Sequence, residues 1–321
     1  MGVLVEAVLP IFAVILCGFL AGRLSLLPYS GTSSLNYFVY YFALPALLFS
    51  SLAQAPVEQL ANRNFILANL FILLGCFILT ILIFRFIFQK SFPDVAMYGM
   101  ITTYGNTGFL GIPLLVAVFG QDAAVPAAIV TFIYDLTIIT LIVITFESAR
   151  KLTDGQKSGM TPMFRSITAS VLLNPINASL LAGIFVAVLG ISVPGPIFAF
   201  TDILGPAAGP AALFSLGLGL SAERHVLKNK HYHVGEFITL LSLKLLGLPL
   251  LAVAAVYFIF PVSDPQWAAS VVILSALPTG AVVYVFAEKY DTLVKQVPFY
   301  TLATTAVSII SISIFLMLLI G

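Results

Sequence analysis

Residues 102–116 read Thr-Thr-Tyr-Gly-Asn-Thr-Gly-Phe-Leu-Gly-Ile-Pro-Leu-Leu-Val and hold the chain's most useful chemical groups. Asn106 offers an amide and Thr107 a hydroxyl, and Gly108, Gly111, Ile112 and Pro113 follow them. Three glycines (105, 108, 111) and Pro113 oppose a continuous helix, yet they lie within an apolar segment, 95–119, of membrane-spanning length. Lipid offers no hydrogen bonds, so a break at bilayer depth is tolerated only where protein or a water-filled cavity surrounds it. Such a break leaves backbone N–H groups at the start of the next half-helix, which together with the amide and hydroxyl suit a carboxylate. No fixed cation adjoins them in sequence, which points to a small or singly charged anion. A sodium site of freed carbonyls and the Asn106 oxygen is the competing chemistry. Pro113 alone would indicate only a kinked packing helix.

Asp135, at the centre of an apolar span, and Lys244, inside another, are the two ionisable groups expected at membrane depth. Each costs roughly 2.5–3.5 kcal/mol near a helix centre, so each must face protein or water. Three readings stand: an ion pair that fixes packing, two independent snorkelling groups, or Asp135 as a proton carrier tuned by burial and by Lys244. Tyr37, Tyr40 and Tyr41, spaced i, i+3, i+4, form an aromatic stripe that either packs or walls a substrate cavity. His225, His231 and His233 belong to a basic loop, solvated or metal-binding, and Trp267 reads as an interfacial anchor. There is no phosphate-binding loop and no Ser/His/Asp or metalloprotease spacing, so neither ATP-driven work nor an enzyme is expected, and no cofactor is called for.

The elements that must position these groups follow from composition. Of 321 residues, 60% are hydrophobic and 8% charged, which no soluble fold of this length could bury. The net charge of +1 says little about partners, and no basic tract suggests a nucleic-acid partner. Cys17 and Cys76 fall in apolar spans and read as small core hydrophobes. Residues 3–25 do not read as a cleaved signal: they are too long, Glu6 stands where positive charge is expected, and no A-x-A follows. Leu16 before Cys17 opposes a lipidation site.

Ten spans are predicted, near 3–25, 33–53, 64–88, 95–119, 123–147, 171–190, 198–221, 235–260, 268–287 and 297–320. With the N-terminus outside, the inner connections hold Arg23, Arg85, Lys90, Arg150, Lys151, Lys157, Arg165, Arg224, Lys228, Lys230, Lys289 and Lys295, twelve of the 14 basic residues. Only Arg63 falls outside, and Lys244 lies in a span. The asymmetry supports the count and places both termini away from the cytoplasm.

The halves resemble each other at one shift of 165 residues. Pro10-Ile11 matches Pro175-Ile176, Gly18 matches Gly183, Pro-Ala-Leu-Leu-Phe-Ser (45–50) matches Pro-Ala-Ala-Leu-Phe-Ser (210–215), and Pro113 matches Pro278. Five spans are an odd number, so the second copy enters from the opposite side and the repeat is inverted. A first repeat of 1–147, a cytoplasmic connector of 148–170 and a second repeat of 171–321 follow. A second broken helix is predicted at Leu277-Pro278-Thr279-Gly280, crossing the first near the midplane; Val271 stands opposite Asn106, so the half-sites are unequal.

These pieces resemble the auxin efflux carrier family, with its bacterial permeases and plant exporters. The resemblance rests on Leu35-Asn36-Tyr37-Phe38-Val39 leading to Ala43-Leu44-Pro45, and on Asn106-Thr107 leading to Gly111-Ile112-Pro113-Leu114-Leu115. It extends to Asn174-Pro175 and to Leu277-Pro278-Thr279-Gly280 leading to Phe286-Ala287-Glu288-Lys289-Tyr290. It implies an all-α fold of ten transmembrane helices in two inverted five-helix repeats, with helices four and nine broken and crossed at their prolines (bile-acid-symporter-like and NhaA-like). It also implies a scaffold of helices 1, 2, 6 and 7, a transport domain of 3–5 and 8–10 moving as an elevator, and a homodimer. Asn106 would contact a substrate carboxylate, with Pro113 and Pro278 shaping the crossing. The long cytoplasmic loop of the plant carriers is missing, so auxin itself is not implied. The expectation is a secondary transporter of a bacterial inner membrane for a mono- or dicarboxylate, malonate or malate among them, in which the Asp135/Lys244 region responds to protons or stabilises the transport domain. A sodium symporter and a ligand-binding receptor are the alternatives. The expected substrate contacts are Asn106, Thr107, Gly108, Gly111, Ile112, Pro113, Pro278, Thr279, Gly280 and Tyr41.

Overall fold

The computed structural model describes residues 2–28, 30–60, 62–154, 167–168, 171–222 and 233–320. Regular structure among them is helical throughout. The first half contains α1 (Gly2–Arg23), α2 (Ser30–Ala53), α3 (Arg63–Ile87), α4 (Asp94–Thr103), α5 (Thr107–Phe119) and α6 (Gln121–Ala149). The second contains α7 (Pro175–Leu189), α8 (Gly195–Ser221), α9 (Val234–Ile259), α10 (Pro265–Ser275), α11 (Val282–Tyr290) and α12 (Gln296–Ile320). His225, His231 and most of the connector 148–170 lie outside the described residues.

Six helices (α2, α3, α6, α8, α9 and α12) are long and apolar enough to cross a membrane, and Ala13–Arg23, Thr107–Phe119 and Pro175–Leu189 are shorter apolar segments. Their ends are set by local chemistry. The side chains of Asn62, Asn174 and Asp264 accept N–H groups of the first turns of α3, α7 and α10, at 3.1, 2.9 and 2.8 Å respectively. Pro175 and Pro265 follow two of these caps, where a missing N–H costs nothing.

The interior is built from the short helices. Every residue from Val95 to Thr103 in α4 and from Trp267 to Ser275 in α10 is buried, while long apolar side chains such as Phe86, Ile203 and Phe258 stand exposed on outer helices. That inversion of the usual apolar surface fits a lipid surround. Trp267 is part of this interior, edge-on to Phe65 with ring centres 4.7 Å apart, rather than an interfacial anchor. Its position in the first turn of a buried half-helix decides that. At the basic end of the spans Lys90 and Glu236 form an ion pair of 2.6 Å, and the Tyr98 hydroxyl donates to the same carboxylate.

Two seams bring backbones into close approach. A Cβ on Gly217 of α8 would stand 1.8 Å from the Ile15 carbonyl oxygen of α1, and one on Gly18 would stand 2.0 Å from the Phe214 carbonyl oxygen. In the other seam, a Cβ on Gly183 of α7 would stand 2.9 Å from the Phe49 carbonyl oxygen of α2. The 165-residue shift maps Gly18 onto Gly183 and Phe49 onto Phe214, so the two seams use equivalent residues with their roles exchanged. In lipid, where apolar burial gives no drive, such small-residue contact supplies the packing. Gly217→Leu should therefore lower stability by about 1–3 kcal/mol or prevent folding. Gly195→Ala, with nothing within 4 Å of its Cβ, should leave the unfolding midpoint in detergent unchanged.

Candidate functional site

The site begins where two helices stop. α4 ends at Thr103 and α5 starts at Thr107, leaving Tyr104–Asn106 unwound. α10 ends at Ser275 and α11 starts at Val282, leaving Ala276–Ala281 between them. The two gaps cross and pair as an antiparallel bridge of Gly105 with Thr279. The Asn106 N–H donates to the Pro278 carbonyl and the Gly280 N–H to the Tyr104 carbonyl, both at 2.9 Å. The Thr279 hydroxyl donates to the Ile101 carbonyl at 2.8 Å, and its N–H donates to the Thr304 hydroxyl at 3.2 Å. Each break thus satisfies backbone groups the other has freed, as a buried break requires. A Cβ on Gly280 would come within 3.0 Å of the Gly105 carbonyl oxygen, so this crossing needs glycine for its closeness.

The crossing forms the floor of a cavity of about 620 Å³. Asn106 and Thr279 face it from the crossing, with Thr32 and Asn36 from α2, Ser215 from α8, Tyr284 from α11 and Thr301 from α12. Asn106 precedes the first turn of α5, and its side-chain amide makes no hydrogen bond among the described residues. The first N–H groups of α5 have no acceptor in their own helix. On the wall from α2 and α8, the Ser215 hydroxyl donates to the Asn36 side-chain oxygen at 2.7 Å.

The other expected contacts are placed differently from one another. Thr107 and Ile112 are buried, and Gly108 faces Ile176 of α7. Gly111 packs α5 on α10, where a Cβ would meet the side chains of Leu274 at 2.5 Å and Leu277 at 2.7 Å. Pro278 and Gly280 are in the crossing, whereas Pro113 lies seven residues beyond Asn106, in the first α-helical turn after the π-helical turn Thr107–Gly111. The helix runs on through Pro113, just past the π-helical turn, and breaks instead at Tyr104–Asn106. Pro113 lines a separate cavity of about 280 Å³ against α8. Tyr41 is half exposed, edge-on to Tyr40; Tyr40 in turn stacks on Phe109, which lines the main cavity.

Asp135 and Lys244 do not pair. The Asp135 carboxylate accepts the Tyr104 hydroxyl on Oδ1, and on Oδ2 the side-chain amides of Asn177 at 2.7 Å and Asn174 at 3.4 Å. Lys244 is fully buried and its Nζ has no hydrogen-bond partner among the described residues. It stands 3.5 Å from where a Cβ of Gly105 would be, so the two charges reach adjacent residues of one break. Each lies in a π-helical turn, Asp135–Ile139 and Leu243–Gly247, a distortion common at functional positions. Sequence reading missed Tyr104, Asn177 and the Asn36–Ser215 pair. Asn177, a lone amide in an apolar span, was the available signal.

A polar cavity that ends on two paired helix breaks, among apolar helices of spanning length, is the build of an integral membrane transport protein. The family model described as membrane transport protein matches residues 3–316, and the chain belongs to that family, the auxin efflux carriers. It is 30% identical over 306 residues, 95% of this chain and 92% of the relative, to a Rhizobium meliloti protein named "Putative malonate transporter". It is 24% identical over 333 residues, 89% of each chain, to auxin efflux carrier component 8 of Arabidopsis thaliana. A third relative, the lysosomal cholesterol signaling protein of Mus musculus, is 27% identical over 259 residues, covering 77% of this chain and 29% of the mouse protein.

Asn177→Leu removes the 2.7 Å bond to Asp135 and should lower stability by about 1–3 kcal/mol, read from thermal unfolding in detergent. Asn64→Leu, which loses only an exposed bond to the Pro261 carbonyl, should cost less.

Proposed function

We propose that this protein is a secondary active transporter that moves a small organic anion, a mono- or dicarboxylate such as malonate, by alternating access across a bacterial inner membrane. One observation carries the reading: the unengaged amide of Asn106 stands at the start of a half-helix on the floor of a polar cavity. A carboxylate there meets the Asn106 amide, the first N–H groups of α5 and the positive end of its dipole. The name of the Rhizobium meliloti relative favours a malonate-sized substrate.

The architecture of the proposal has ten spans, α4 with α5 forming the fourth and α10 with α11 the ninth. They make two inverted repeats, 1–147 and 171–321, and the exchanged glycine seams at a shift of 165 support that relation. With basic residues on the cytoplasmic side, both termini face away from it and the cavity lies on the cytoplasmic side of the crossing. Spans 1, 2, 6 and 7 act as the scaffold, and spans 3–5 and 8–10 move against it as an elevator. The cavity fits this division, since its walls come from α2 and α8 on one side and from the crossing and α12 on the other. A homodimer belongs to the same proposal. Asp135 is the protonation site, because its bonds to Asn174 and Asn177 of α7 join a moving span to a static one.

Thermal stabilisation of the purified protein by a panel of small carboxylates tests the site. A ligand at a hundredfold its Kd should stabilise by about 2.7 kcal/mol, and Asn106→Ala should lose that shift while unfolding normally without ligand. An equal shift in the variant would remove the crossing from the mechanism. Replacing potassium by sodium should change nothing. Asp135→Asn should flatten the pH dependence of uptake into proteoliposomes of a ligand that stays singly charged, such as monomethyl malonate, and an unaltered profile would leave Asp135 a packing role. Ligand binding without tracer flux would favour a receptor, the reading closer to the name of the mouse relative.

A further inference from the structure

The cavity at the crossing is uncharged, its polar groups set among apolar side chains such as Phe109, Leu216 and Leu302. Among the described residues its wall carries hydroxyls, amides and the phenol of Tyr284, and no Asp, Glu, His, Lys or Arg. Lys244 of α9 and Asp135 of α6 stand behind the crossing, of opposite sign and outside the wall. Tyr284 of α11 is hydrogen-bonded to Glu288, one turn further along the same helix, and α2, α8 and α12 bring no charged side chain to the wall.

The positive potential available to a ligand therefore comes from the starts of α5 and α11, each equivalent to about half a unit charge. Together they match one carboxylate. A second carboxylate would be taken from water with no counter-charge, and a group in that position takes up a proton instead. The wall from α2 and α8 suits the neutral form. Asn36 accepts from Ser215 at 2.7 Å through its oxygen and its NH₂ makes no hydrogen bond among the described residues, so it offers both an acceptor and donors. A protonated carboxyl can use both, and a carboxylate only the donors.

Resting on the carboxylate reading above, we infer that this site takes its substrate with a single negative charge. A dicarboxylate enters half-protonated, its carboxylate at Asn106 and its neutral carboxyl at Asn36 and Ser215. One proton then crosses with each dicarboxylate as part of it, separately from any proton held at Asp135 behind the crossing.

The test is calorimetric binding to the purified protein across the second ionisation of malonate, with monomethyl malonate and propionate as ligands singly charged throughout. The apparent Kd for malonate should rise about tenfold per pH unit above that ionisation, while the two references stay flat. Asn36→Leu should weaken malonate by about tenfold and propionate little. Malonate binding that holds or tightens as pH rises overturns the inference. A parallel fall for all three ligands also overturns it, because the titrating group is then on the protein. Binding by none of them fails the carboxylate reading itself, and this inference with it.

Discussion

The exchange of backbone hydrogen bonds between two interrupted helices is the interaction on which this structure depends. Ten residues of α4 rise about 15 Å, half a hydrocarbon core, so α4 and α10 each stop within the apolar layer. Unpaired N–H and C=O groups there cost several kcal/mol apiece. The pairing of Asn106 with Pro278 and of Gly280 with Tyr104 meets that requirement with protein, not water. The same pairing sets the starts of α5 and α11 beside each other at the cavity.

Around this centre the molecule solves two packing problems in different ways. α1 with α8, and α2 with α7, meet through glycines at backbone contact distance, which makes rigid seams. The crossing region packs through larger side chains and buried hydroxyls, such as Thr80 against Thr102 at 2.9 Å between α3 and α4.

The two membrane-depth charges are held in contrasting ways. Asp135 has partners on the crossing and on α7, so its charge state bears on both contacts at once. Lys244 has none among the described residues, and its Nζ stands at the back of Gly105. Neither charge reaches the cavity wall, which among the described residues carries only neutral groups.

Much of this was legible in the sequence by itself. Apolar content set the membrane class, because nothing else accommodates it. Asn106 beside glycines marked the first break, Leu277–Gly280 the second, and Asp135 and Lys244 stood out as charges with no local excuse. Tertiary structure alone decided the rest. The first break falls at Tyr104–Asn106 and not at Pro113, because the backbone groups freed at Tyr104–Asn106 pair with the second break, whereas at Pro113 the helix runs on from the π-helical turn before it. Asp135 meets Tyr104 and Asn177 instead of Lys244, and Asn36 and Ser215 share one wall, 179 residues apart in the chain. Local composition determines which groups must be sheltered from lipid. Which groups shelter them depends on contacts between distant segments, and those exist only once the helices have packed.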